Sequence, residues 1–278
     1  HELCRFARGS VTVALSGDGG DELLAGYITH HADALRARVG WVPRPVLRAL
    51  RAGVSLLPDG SRKLSAAFKA RQFLAGAGLG PGDAHASWRR VGSDRDIAAL
   101  IGAAPDDWDP LGPFRDAWAR SEGLRPLERM LLMDYETWLV DDINTKADRA
   151  SMAHGLEVRC PFLDHRLVEF AAALPDRLKR DGREGKVLLR RLARRLLPDA
   201  TLRAPKSGFN APVGAWMRGP WRPLVTDLLA TSTSAAWDTL DRDATRRLFR
   251  EHLSGRRDRS YQLFPVLVLM IWLDAHGS

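Results

Sequence analysis

Residues 11–27 read VTVALSGDGGDELLAGY. Val11 to Leu15 is a short apolar run bounded by Gly9-Ser10 and Ser16-Gly17, the pattern of a buried strand, and a glycine-rich turn then leads into a helix start. Strand, glycine-rich turn and helix together present backbone N–H groups and the positive end of a helix dipole to an anion. Gly17, Gly19 and Gly20 suit positive φ and close approach of backbone to a ligand. Yet Asp18, Asp21 and Glu22 crowd three carboxylates into five residues of the same junction. Two readings stand. In one, Asp21 and Glu22 only offset the dipole in the first helical turn. In the other, a cation lies between the carboxylates and a phosphate, and Mg²⁺ is the natural candidate because one or two carboxylates plus substrate phosphates usually hold it.

Working outward, 11–15 is the one convincing strand, and nearly everything after it has helical period. Helices are expected at 20–37, 44–57, 61–76, 113–121, 125–153, 165–174, 183–197, 222–230, 244–254 and 260–276. Residues 76–113, with several Gly, Pro and Asp, read as a variable helical insertion with long loops and little chemistry. A lone apolar strand belongs inside a parallel α/β sheet. The expectation is therefore a single partial α/β domain over 1–278 that lacks its N-terminal part and begins near its last strand.

Composition narrows the class. With 45% apolar residues in 278, the chain can bury a substantial core. The longest apolar run, Leu263 to Leu273, is interrupted by Pro265 and falls short of a membrane span, so it reads as a C-terminal core helix. Cys4 and Cys160 make no disulfide framework and no zinc motif, which fits a reducing cytoplasm. A net charge of +8 invites nucleic acid, but six of the 42 basic residues are Lys and the Arg are scattered among acids. Neither a nucleic acid nor a membrane is an expected partner.

A second constellation lies in 124–170. One helical face carries Leu127, Leu131, Asp134, Trp138, Asp141, Thr145 and Asp148 or Arg149, a core stripe that turns polar as if entering a cleft. Asp142 and Lys146 have the spacing of a surface ion pair. Glu157-Val158-Arg159 alternates like a short extended segment, and Asp164 is placed to cap the helix starting at His165.

SGDGGDELLAGY (16–27), KADRASMAHGLEVRCPFLDHRLVEF (146–170), GREGKVLLRRL (182–192) and APKSGFNAPVGAW (204–216) resemble, in order, motifs of the synthetase domain of glutamine-hydrolysing asparagine synthetases. The resemblance implies the C-terminal, mostly α-helical part of a pyrophosphatase-type (PP-loop) ATP-binding fold. It implies an enzyme that activates a carboxylate, aspartate in this family, as an acyl-adenylate. Ammonia released from glutamine then displaces AMP to give asparagine. ATP and Mg²⁺ are the implied cofactors. The family's PP-loop and its N-terminal glutaminase domain have no counterpart in the 278 residues, so the chain by itself is expected to be inactive. The glutaminase domain becomes an expected partner, and a homodimer is left open.

Residue by residue, the resemblance makes Asp21 a Mg²⁺ ligand and Lys186 the group that stabilises charge on the α-phosphate and leaving group. Asp18 stands where the attacking amine is expected, either accepting its proton or orienting it. Ser16, Gly17, Gly19, Arg149, Glu157, Arg159 and Lys206 fall at positions around the acyl and pyrophosphate pocket. β-Lactam and lasso-peptide macrolactam synthetases are built on the same domain and remain alternatives, as does a non-catalytic helical interaction module. Aspartate rather than tyrosine at 18 favours the amidotransferase over β-lactam closure.

Overall fold

The computed structural model describes residues 1–57, 66–90, 92–101, 108–182, 184–203, 211–231, 233–255 and 257–276. They form two compact units. The first comprises His1–Trp41, Gly76–Arg89 and Pro110–Lys206, and the second Val42–Ala75, Arg90–Asp109 and Ser207–Ser278. No described helix is long and apolar enough to cross a membrane.

In the first unit the expected strand forms as β1 (Val13–Leu15), but it is not alone. Glu157–Arg159 forms β2 and pairs with it in parallel, Val13 opposite Glu157 and Leu15 opposite Arg159. Nor is β1 buried among the described residues: Val13 and Leu15 are exposed, although parallel strands usually have both faces covered. A second pairing, antiparallel, joins β3 (Arg180–Asp181) to β4 (Glu184–Gly185). This hairpin takes the start of the segment expected to be helical from 183, and the helix begins instead at Val187. Leu23, Leu24, Ala171 and Leu174 form one small core of this unit, and Ala25, Leu127 and Leu131 another.

Two expected long helices are broken, each for a local reason. Segment 20–37 splits into Gly20–Leu23 and Ile28–Arg38, because Ala25 is left-handed (φ 55) and Tyr27 is extended. Segment 125–153 is helical at Pro126–Glu136, breaks at Thr137, and resumes as a π-helix at Leu139–Asn144 before the helix Thr145–Met152. Thr137 donates its hydroxyl to the Met133 carbonyl at 2.6 Å, the back-bonding that bends helices. The wider i→i+5 turn then rotates the next helical segment. The polar stripe consequently does not persist: Asp134 is fully buried, whereas Asp141 and Asp148 are exposed. Asp164 does cap the helix His165–Ala173, accepting the Arg166 N–H at 3.0 Å.

The second unit packs around its last helix, Ser260–His276, whose Leu263, Val266, Leu267 and Met270 meet Met217, Val225, Leu229 and Phe249. The apolar C-terminal run is thus a core helix on one side, with Phe264, Val268, Ile271 and Trp272 exposed on another. In the region 76–113, expected as a helical insertion with long loops, the described residues include the helices Pro81–Arg89 and Asp94–Ile101.

Candidate active site

The turn after β1 is tied to the end of β2. The Ser16 N–H donates to the Arg159 carbonyl at 2.9 Å, and Ser16 Oγ lies 3.4 Å from Cys160 Sγ. Ser16 also donates its hydroxyl to Asp18 Oδ2 at 2.8 Å and accepts the Asp18 N–H at 3.2 Å. Asp18 is therefore held by the loop just before the helix. Gly19 adopts φ 88, and a Cβ there would lie 2.2 Å from the Leu163 side chain. Both backbone conformation and space thus require glycine at 19. Gly17 has no such need, since its φ lies outside the left-handed region and a Cβ would meet nothing within 4 Å.

From the short helix Gly20–Leu23, Asp21 and Glu22 point to different places. Asp21 Oδ1 lies 3.0 Å from Lys186 Nζ, with about a quarter of each side chain exposed (26% in both). Lys186 arrives from the other side: it is the residue before the helix Val187–Leu196, itself left-handed (φ 56), with its N–H bonded to the Leu24 carbonyl at 2.8 Å. Gly26 lets the two meet, because a Cβ on it would sit 1.9 Å from Asp21 Oδ1 and 2.4 Å from Lys186 Cε. Glu22, by contrast, is buried and accepts the Tyr27 hydroxyl at 2.5 Å. Burial raises the pKa of Glu22, and burial together with this bond raises that of Tyr27.

Behind Tyr27 lies a cluster that sequence reasoning missed. The Arg89 guanidinium sits 4.3 Å from the centroid of the Tyr27 ring and 4.9 Å from that of Trp138, and it grips Asp134 with two N–H groups, Nε to Oδ1 at 2.9 Å and Nη2 to Oδ2. His30 Nε2 approaches Oδ2 and His85 Nε2 approaches Oδ1, each at 2.8 Å. Burial would raise the Asp134 pKa, but His85, Arg89 and the histidine hydrogen bonds hold it well below the ordinary value. An ionised carboxylate only accepts, so both imidazoles donate from Nε2. Four donors then fill the roughly four lone-pair sites of the carboxylate. His30, His85 and Asp134 have metal-ligating types and spacing, but this donor set, with a guanidinium already on both oxygens, leaves no place for a cation. The signal available in the sequence was Asp134, a carboxylate in the middle of an apolar stripe.

The remaining predicted residues are less concentrated. Glu157 and Arg159 pair with each other at 2.7 Å on β2, with more than half of each side chain exposed, and Arg149 is exposed on the helix Thr145–Met152. Lys206 lies outside the described residues. The structure therefore brings Asp21 to Lys186 and Ser16 to Asp18, and it places Glu157 and Arg159, paired with each other, on the strand beside β1.

The model of the family described as asparagine synthase matches residues 1–274. The chain belongs to the asparagine synthase family. Among its relatives, a Mycobacterium bovis protein provisionally named as a glutamine-hydrolysing asparagine synthetase is 31% identical over 271 residues, covering 97% of this chain and 40% of its own length. Glutamine-hydrolysing asparagine synthetase 1 of Bacillus subtilis is 28% identical over 275 residues, 97% of this chain and 41% of its own. The glutamine-hydrolysing asparagine synthetase of Rattus norvegicus is 31% identical over 157 residues, half of this chain and 26% of its own length. The chain thus spans about two fifths of the length of these two bacterial relatives.

Proposed function

We propose that this chain carries part of the synthetase centre of an ATP-dependent, AMP-forming amide-bond ligase. In this reading an acid, aspartate by family resemblance, is activated as an acyl-adenylate, and ammonia from glutamine converts it to asparagine. The observation that carries the reading is the meeting of Asp21 and Lys186 across Gly26. A carboxylate and an ammonium, both partly open to solvent beside a glycine turn, are the two groups that a metal-bound phosphate chain needs on its two sides. The donor chemistry fits Mg²⁺: Asp21 is a partly exposed carboxylate, the oxygen ligand this cation takes together with substrate phosphates, and Lys186 can turn its charge to the phosphate once the cation faces Asp21. Bound there, Mg²⁺ would neutralise charge between Asp21 and the pyrophosphate end of ATP.

The chain's own residues then divide the work. Asp21 holds the cation side, and Lys186 stabilises negative charge on the phosphate as the acid's oxygen displaces pyrophosphate. Asp18, kept close by Ser16, orients the amine or takes its proton when nitrogen attacks the acyl carbon and AMP departs. Gly19 gives the turn its left-handed bend against Leu163, and Ser16 and Gly17 form the ligand's approach. Arg149, Glu157, Arg159 and Lys206 are assigned to the acyl and pyrophosphate pocket on family resemblance alone. The pyrophosphatase-type sheet, the PP-loop, a glutaminase part that delivers ammonia, and a cytoplasmic location belong to the same proposal.

The test is a pair of assays on the full-length polypeptide: aspartate-dependent exchange of labelled pyrophosphate into ATP, and asparagine formation. Asp18→Asn should leave exchange near wild type and slow asparagine formation by about tenfold or more. Equal loss in both assays would refute the division of roles. Absence of exchange with aspartate, but exchange with another carboxylic acid, would move the reading to a different acyl substrate.

A further inference from the structure

The turn that presents Asp21 is strained and tightly tied. Ala25 is left-handed without being glycine, a conformation that costs on the order of 1–3 kcal/mol and persists where the surroundings over-determine it. Two bonds close the same loop side by side. The Gly26 N–H donates to the Asp21 carbonyl at 2.8 Å, and the Tyr27 hydroxyl donates to the Glu22 carboxylate at 2.5 Å. Tyr27 is itself held, because its ring lies against the Arg89 guanidinium, and Arg89 is locked in plane by its two bonds to Asp134. His30 and His85 complete that lock from the helices Ile28–Arg38 and Pro81–Arg89. A carboxylate with all its acceptor sites filled and no exposure has no alternative arrangement available, which makes it a fixed point for whatever leans on it.

We propose that Tyr27 and Arg89 are positioning residues for Asp21. Arg89, anchored on Asp134, fixes the Tyr27 ring; Tyr27 fixes Glu22; and Glu22 sets the turn so that the neighbouring Asp21 carboxylate faces Lys186. This inference rests on the proposed function for what Asp21 does, but not for how it is held. Arg89 suits the task where Lys would not, since only its planar fork can grip both oxygens of Asp134 while its face covers the Tyr27 ring.

Tyr27→Phe tests this with the least disturbance, because it removes the hydroxyl and keeps the ring over which Arg89 sits. Two readouts are taken on the 278-residue chain: amide hydrogen exchange of the peptide spanning 16–27, and Mn²⁺ affinity in the presence of inorganic pyrophosphate. The expected result is an acceleration of exchange at least about tenfold greater at Leu23 and Gly26, whose amides close the turn, than at amides of the second unit, with Mn²⁺ affinity about tenfold weaker and a lowered melting midpoint, because the buried Glu22 loses its donor. Exchange at the wild-type rate overturns the buttress. Faster exchange with unchanged Mn²⁺ affinity overturns the link to Asp21. If the wild-type chain, which has no counterpart of the PP-loop, fails to retain Mn²⁺ with pyrophosphate, the exchange readout alone decides the buttress. Arg89→Lys keeps the charge and loses the fork, so it should accelerate the same amides; wild-type exchange there would overturn the role given to Arg89.

Discussion

Asp21 meets Lys186 at 3.0 Å with about a quarter of each side chain exposed, whereas Asp134 receives Arg89, His30 and His85 with none of its surface exposed. Both are aspartates beside a cation in the same compact unit, and solvent separates their uses. A partly exposed pair is worth little to stability and can exchange its partner for another ion. A sealed carboxylate carries a desolvation cost that is offset only if every acceptor is filled, so its removal is strongly destabilising and its rearrangement rare. The first arrangement suits a site that binds and releases; the second suits a support.

The sharpest way to break this contrast is to substitute each aspartate by asparagine. Asp21→Asn should abolish AMP formation in the full-length polypeptide while leaving the melting midpoint nearly unchanged, as calorimetry alongside a nucleotide assay would show. Asp134→Asn should act first on stability, and on AMP formation only through the loosened support of Arg89 and Tyr27. It leaves a buried guanidinium without its counter-charge, at an expected cost of about 3–5 kcal/mol in urea unfolding. If Asp21→Asn proved the more destabilising of the two, the comparison would fail.

Acid sharpens it next. Burial lowers the His30 pKa from 6.5 to about 4, although its bond to Asp134 opposes the shift. The folded state therefore keeps His30 neutral while the unfolded state takes up a proton below pH 6.5. Stability is full above about 6.5 and falls as the pH drops toward 4, by roughly 3 kcal/mol at 1.36 kcal/mol per unit. His30→Gln, which can still donate to Asp134, should flatten the stability profile over that window in denaturation run at stepped pH. The smallest effect belongs to a third aspartate. Asp241 caps the helix Arg242–Leu253 by accepting the Ala244 N–H at 2.7 Å, and Asp241→Ala should cost about 1 kcal/mol without altering Mn²⁺ binding. A change in metal affinity there would show that stability and site are not separable as argued.

How much was legible depends on the distance along the chain over which each feature is built. The Asp164 cap and the left-handed Gly19 depend on residues within a few positions and are readable from the residue types, whereas the partner of the strand 13–15 and the Leu163 side chain against Gly19 lie far along the chain. Lys186 was reached through the family resemblance, in the first turn of the helix expected at 183–197, and its left-handed stance facing Asp21 was not readable. The Asp134 cluster was not readable beyond the oddity of its position, because its partners lie 104, 49 and 45 residues away in sequence. Helical period also misplaced Asp141 and Asp148, since a π-helix at Leu139–Asn144 shifts the face by an amount that 3.6-residue periodicity does not contain.

The sequence by itself determined the family, through four ordered motifs, and the local strand, turn and caps that short-range sterics and hydrogen bonding dictate. Tertiary structure alone decided which acids are sealed and which face solvent. Of the adjacent pair Asp21 and Glu22, one looks out to Lys186 and the other inward to Tyr27. Exposure is a property of the segments packed above a residue, and those come from elsewhere in the chain.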